Sequence, residues 1–406
     1  MEFKPVLRFA SISDVHIKDH PSIERERLAK ALEFLSAYTD ASDYKRLDAV
    51  CITGDFATSG TETQMQVTKD ILDAGMRPET RLLITVAGHE FNGESGGMAA
   101  AYEKLRRIFG QTPDVHTVIN GYHFIAVSAE EIPEKGRNNF GKFKQAWVEN
   151  CLAQAVEDDE ERPIFFFQHP HPTNTCYGSI CWANNDLYEY LAKYPQVIAF
   201  SGHSHAPVND PRSIDQKDFT SCGTGSLSYF ELDEFDKIYG TVPPNADKCA
   251  QFLLVEADAE KRVRILAYDL ISESFFPQVW EIPHAWEKSE FIYDSHRPGS
   301  ECAPRFADGS ELKISNVSDG AFDITVPQAK IDAFYVNAYY VRITDEKGRK
   351  VKTVSFWSEY YFADMPSAVT QRIEGLEPGQ YYEMEVWATG FWGKKSTNRL
   401  YGGVQL

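Results

Sequence analysis

The sequence predicts an α/β domain followed by an all-β sandwich, and three observations carry that prediction. Over the first two thirds of the 406 residues, short apolar runs alternate with stretches whose apolar residues recur every three or four positions. Five short clusters rich in Asp, Gly and His stand at the C-terminal ends of those apolar runs. From Glu311 onward the period changes to two, with Asp319-Gly320, Lys347-Gly348 and Pro378-Gly379 as turn signals.

The elements follow in order. Strands are expected over Leu7 to Ser13, Ala49 to Thr53, Leu82 to Val86, His123 to Ser128, Ile164 to Gln168 and Val197 to Ser201. Helices are expected over Ile23 to Tyr38, Glu62 to Ala74, Met98 to Phe109, Lys142 to Glu157 and Asp186 to Lys193. After Phe219 the pattern turns to strands, including Phe252 to Ala257 and Val263 to Asp269. These elements give a first domain over 1–290. Residues 291–306, broken by Arg297-Pro298-Gly299 and Pro304, read as a linker, and 307–406 as the sandwich.

Composition bounds the function. With 41 Lys and Arg against 60 Asp and Glu, the net charge of -19 repels a phosphate backbone, so duplex nucleic acid is not an expected partner. No apolar run reaches the ~18 residues a membrane span requires. Met1 to Arg8 lacks the pattern of a signal peptide, so the expected location is cytoplasmic, or secreted if a leader has been removed. Seven scattered cysteines without a Cys-x-x-Cys pair argue for reduced thiols.

The five clusters are Asp14-Val15-His16, Gly54-Asp55, Gly88-His89-Glu90, Gln168-His169-Pro170-His171 and Gly202-His203-Ser204-His205. Open α/β sheets place their ligand crevices at such strand ends. Carboxylate and imidazole together suit manganese, iron or zinc. Each cluster alone has an ordinary reading as a cap, a turn or a satisfied buried histidine. That reading leaves unexplained why most of the eleven histidines fall at these positions.

In order and spacing the clusters resemble the calcineurin-like metallophosphoesterases, whose pattern is D-x-H, G-D, G-N-H-D/E, a histidine after a buried strand, then G-H-x-H. Four of the five blocks match, over about residues 5 to 285. The resemblance implies a double β-sandwich flanked by helices and a metal-dependent phosphoric ester hydrolase with two transition metal ions. It assigns Asp14, His16 and His205 to one ion, His169 and His203 to the other, and Asp55 as the bridge, with a bridging hydroxide as nucleophile. His89 would stabilise the transition state and protonate the leaving oxygen, and Glu90 would orient it. Arg212 and His171 are the expected substrate contacts, although the residues themselves favour a turn-stabilising Arg212–Asp210 ion pair and leave an exposed or structural His171 equally open.

One block departs from the pattern. Gly88 stands where the family carries Asn, so the second metal position lacks an amide ligand unless water, a backbone carbonyl or Asn92 takes its place. The expected partner is a small phosphoester, mono- or diester. The alternative is a binding protein that keeps the fold with weakened or lost catalysis. The stretch Leu376 to Tyr382 resembles the end of a fibronectin type III domain, with Tyr382 as its corner tyrosine. In that domain Trp357, Trp387, Phe391 and Trp392 read either as a platform for protein or glycan contact or as packing.

Overall fold

The computed structural model describes residues 2–233, 240–332 and 335–406. They form two compact units, Met1–Ser295 and His296–Leu406.

The first unit is built on two six-stranded sheets. One runs in the order Ser274–Ile282, Val263–Asp269, Gln251–Asp258, Pro5–Ile12, Ala49–Thr53, Arg81–Thr85. The other runs Ile214–Gln216, Thr220–Gly223, Val197–Ser201, Ile164–Phe167, Tyr122–Val127, Asp114–Ile119. In the first sheet Pro5–Ile12, Ala49–Thr53 and Arg81–Thr85 are parallel and the three strands beyond Pro5–Ile12 are antiparallel, whereas in the second the central strands are parallel and an antiparallel strand closes each edge. Strands buried on both faces read as unbroken apolar runs, and Ala49–Thr53, Ile164–Phe167 and Val197–Ser201 are buried at every residue.

Alternation of side chains along Pro5–Ile12 joins the layers. Phe9 meets Phe124, Phe165, Phe167 and Phe200 of the second sheet at ring separations of 4.7 to 5.8 Å, all edge-on. Its neighbours Ala10 and Ile12 belong instead to the cluster that includes Leu28, Leu32 and Leu35 of the helix Ile23–Ala41. The result is a sheet-on-sheet sandwich with helices outside, the double sandwich the resemblance implies.

Element positions follow most of the sequence expectations, but the strand Asp114–Ile119 is not among them and the helix expected over Met98 to Phe109 turns into a π-helix at Leu105. The helix expected over Asp186 to Lys193 is a single turn, Tyr188–Leu191. Asp186 is drawn out of it because its carboxylate accepts from the Phe140 amide at 2.9 Å and pairs with Lys135 at 2.6 Å. That contact anchors a feature the sequence reading did not contain, a hairpin of Glu130–Ile132 and Gly136–Asn139. Residues 291–306 divide between the units. Ile292 and Tyr293 donate their amides to Gln216 Oε1, whereas Phe306 is fully buried in the core of the second unit.

That second unit packs a three-stranded sheet (Lys313–Ser318, Ala321–Pro327, Ala368–Ile373) on a four-stranded one (Lys350–Trp357, Ala338–Asp345, Tyr381–Thr389, Leu400–Gln405). The Tyr382 hydroxyl accepts from the Glu377 amide at 3.0 Å and donates to the Glu377 carbonyl at 3.2 Å, the bond of a tyrosine corner. Phe391 is buried against Tyr360, with ring centroids 4.8 Å apart, so it cannot belong to an exposed platform. Trp387 is half-buried and stacks on Tyr340 at 5.5 Å. Among the described residues, no helix is long and apolar enough to cross a membrane.

Candidate metal centre

Each of the five clusters lies just past a parallel strand end, and backbone bonds zip the loops together. The His16 amide donates to the Asp55 carbonyl at 3.1 Å, Ile17 to Phe56 at 2.8 Å, and Gly202 to His169 at 3.0 Å. Asp14, His16, Asp55, His203 and His205 all have positive φ, between 50° and 70°. Left-handed backbone is uncommon for residues with a side chain and persists where surrounding contacts enforce it. Here it aims five side chains into one space.

Close approach explains two glycines. Gly54 has φ 86°, and a Cβ there would lie 2.9 Å from the His169 ring. A Cβ on Gly202 would lie 2.5 Å from Asp14 Oδ2 and collide with Ser13 Oγ.

The ligand-type atoms converge in three overlapping groups: Asp14, His16 and His205; His16, Asp55 and His89; Asp55, His169 and His203. Within each group the atoms lie inside 4.8 Å of one another. Backbone carbonyls settle the imidazole tautomers, because a carbonyl only accepts. His169 Nδ1 donates to Thr53 at 2.7 Å, His205 Nδ1 to Tyr229 at 3.0 Å and His89 Nδ1 to Thr58 at 2.8 Å. Their Nε2 lone pairs are thereby kept for another partner.

Electrostatics describes a site short of positive charge. Burial would raise the Asp55 carboxyl, but the imidazoles of His169, His89 and His16 hold it well below the ordinary range. Burial opposes charge on His169, yet Asp55 and Asp14 outweigh it and lift the imidazole to about 9. Burial and His205 push His16 down to about 3, and burial and His169 do the same to His203. His16 Nε2 and His205 Nε2 face each other at 3.1 Å. Buried Asp14 Oδ1 and His169 Nε2 have no properly aligned hydrogen-bond partner. Two imidazole nitrogens at contact distance, beside buried polar atoms that lack an aligned partner, are what a cation site with its ion removed presents, so the residues fit transition metal binding.

Three expectations need correction. Glu90 does not orient His89: it is fully buried, its carboxylate accepts from the amides of Ala87 at 2.8 Å, Ala57 at 2.9 Å and Asp55 at 3.2 Å, and the Thr58 carbonyl holds the imidazole instead. Burial and the nearby Asp55 carboxylate push Glu90 up to about 8. Arg212 is engaged in the ion pair rather than aimed at the cluster: Asp210 binds it bidentately at 2.9 and 2.7 Å and Tyr177 lies 4.0 Å beneath its guanidinium. His171 is fully buried behind the loop, bonded to Ser204 Oγ at 2.8 Å and Cys176 Sγ at 3.4 Å. It steadies the turn between His203 and His205. By contrast His89 is exposed, 4.6 Å from the His16 ring.

The sequence reading missed the aromatic walls, Trp182 at 5.0 Å from His203 and Tyr229 at 4.4 Å from His205. It also missed Asn138, whose Nδ2 is 3.4 Å from His203 Nε2. No local motif marks these residues; only the folded loops bring them to the cluster.

The fold and the cluster define the class as a double-sandwich fold of the metallophosphoesterase type with a candidate metal centre. A family model described as calcineurin-like phosphoesterase matches residues 7–207, so the first unit carries a domain of that family. Among solved structures it is similar to a purple acid phosphatase from yellow lupin seeds, at 15% identity over 68% of this chain and 53% of that one, with a TM-score of 0.48. The chain thus spans about half the length of the lupin enzyme. PhoD is similar at 12% identity over 69% of each chain, with a TM-score of 0.42. The second unit is similar to a fibronectin type III domain of human collagen XX, at 16% identity over 26% of this chain and 91% of that domain, with a TM-score of 0.20. No curated protein sequence matches.

Proposed function

We propose that this protein hydrolyses small phosphoric mono- or diesters at a dinuclear centre held by Asp14, His16, Asp55, His169, His203 and His205. The observation that carries this reading is the sharing of ligand-type groups: Asp55 and His16 each belong to two of the three convergent sets. A carboxylate common to two sets is the arrangement that screens two dications placed about 3.5 to 4 Å apart. When bound, such ions would polarise the phosphoryl oxygens and lower the pKa of a water.

The remaining roles fall to the chain. Asp55 receives the His89 amide at 3.1 Å, so the bridging group and the exposed imidazole are set relative to each other. With Nδ1 committed to Thr58, His89 offers Nε2 to carry a proton to the leaving oxygen. Thr53 and Tyr229 fix His169 and His205 in the tautomer that binds through Nε2. Trp182 and Tyr229 wall the cluster on the sides of His203 and His205.

The test compares chelator-stripped protein with protein reloaded with manganese or zinc, assayed on nitrophenyl phosphate and bis(nitrophenyl) phosphate. Turnover of at least one ester should return with metal, and His89→Ala should lower kcat about 100-fold or more at unchanged metal content. Fully loaded protein that turns over neither ester would support the binding-protein reading instead.

A further inference from the structure

Gly88 leaves a gap in the ligand set that the family resemblance implies, and one side chain lies directly against it. Its φ lies outside the left-handed region, so backbone conformation does not demand glycine there. Space does. A Cβ on Gly88 would lie 3.1, 3.2 and 3.4 Å from Nδ2, Oδ1 and Cγ of Asn138, the three nearest atoms and all part of one planar amide.

We infer that Asn138, from the hairpin Glu130–Ile132 and Gly136–Asn139, supplies the amide oxygen that position 88 lacks, as a ligand to the cation held by Asp55, His169 and His203. The inference rests on the proposed dinuclear reading. Asn138 Oδ1 accepts from the Gly88 amide at 2.8 Å. Asn138 Nδ2 lies 3.4 Å from His203 Nε2, so the amide stands beside that ligand set with its nitrogen toward it, and Oδ1 would reach a cation there on a rotation about χ2 that gives up the Gly88 bond. A neutral amide oxygen is compatible with a carboxylate and two imidazoles around a transition metal.

The hairpin is held in register for this task. Arg137 donates to the Gly88 carbonyl at 3.2 Å, so both backbone groups of residue 88 are bound from the hairpin. Asn139 accepts from Asn184 at 3.0 Å, and the Phe140 amide is tied to Asp186. Asn138 itself has φ 63°, the backbone state shared by five of the six ligand candidates. The glycine and the asparagine are therefore two halves of one exchange: the side chain is removed at 88 and an amide enters from 138.

A reciprocal swap tests it, read as calorimetric titration of metal-stripped full-length protein with manganese alone. Wild type should show two binding events. Asn138→Gly, which the left-handed backbone accepts without strain, should weaken one event about tenfold or more and spare the other. Gly88→Asn alone should also weaken it, because the new side chain meets Asn138. The double variant should recover both events, a result that a merely structural role for Asn138 would not produce. Asn138→Asp keeps an oxygen and should retain the affinity. Matching thermal midpoints of the metal-free variants check folding. Wild-type binding by Asn138→Gly, a double variant no better than that single one, or a loss in Asn138→Asp equal to that of Asn138→Gly would overturn the inference. Absence of binding by wild type would instead overturn the dinuclear reading itself.

Discussion

Asp55 is the residue on which most of the site depends. Its carboxylate lies 2.8 Å from His169 Nε2, receives the His89 amide, and belongs to two of the three ligand sets. Asp55→Asn should therefore lower metal occupancy at both positions, by tenfold or more in affinity (an order set by ~10-fold effects of even outer partners). Elemental analysis of dialysed protein checks this, and loss confined to one ion would reject the bridging role. The ligand candidates were legible in the sequence because strand ends concentrate side chains whose chemistry is unusual for a loop. Glu90 was expected to orient His89 because proximity in sequence does not report direction, and for Arg212 and His171 the ion-pair and structural readings are the ones the geometry matches. Each turns away to satisfy buried groups, Glu90 three backbone amides, Arg212 the Asp210 carboxylate, and His171 the Ser204 hydroxyl. Asn138 could not be read at all, since it reaches Gly88 across 50 residues of chain.

At the scale of elements, the central strands were legible from burial on both faces, while the hairpin carrying Asn138 was not. Its strands are exposed and polar over much of their length, so no apolar period marks them. The sheets are pinned by the phenylalanines around Phe9, and Phe9→Ala should cost about 3–5 kcal/mol in denaturant unfolding of the first unit. A cost under 1 kcal/mol would show that the layers are held elsewhere. The antiparallel pair Asp114–Ile119 and Tyr122–Val127 carries a second expectation. His116 Nε2 and His123 Nδ1 lie 2.8 Å apart, and burial depresses the pKa of both imidazoles. A depressed histidine binds fewer protons folded than unfolded, so its stabilising share is present above the unfolded value near 6.5 and is lost as pH falls below it. Thermal midpoints at pH 7 and pH 5 should therefore differ more in wild type than in His116→Gln/His123→Gln. Equal differences would remove the pair as a source of acid sensitivity.

For the whole molecule, the change of period near residue 311 made the second sandwich legible, because a two-residue repeat and a three-to-four-residue repeat cannot describe one layer. All six ligand candidates, His89 and Asn138 lie within Met1–Ser295. A chain ending at Ser295 should accordingly fold, bind metal and hydrolyse nitrophenyl esters at a rate within a few-fold of the full chain. A folded truncation without turnover would mean that residues 296–406 contribute to catalysis. The central claim, that six side chains from five strand ends form one two-metal centre, is tested most directly by anomalous diffraction from crystals of the full chain grown with manganese. The account predicts two anomalous peaks about 3.5 to 4 Å apart, one contacted by Asp14, His16 and His205, the other by His169 and His203, with Asp55 touching both. Peaks elsewhere, or none among these residues at saturating manganese, would contradict it.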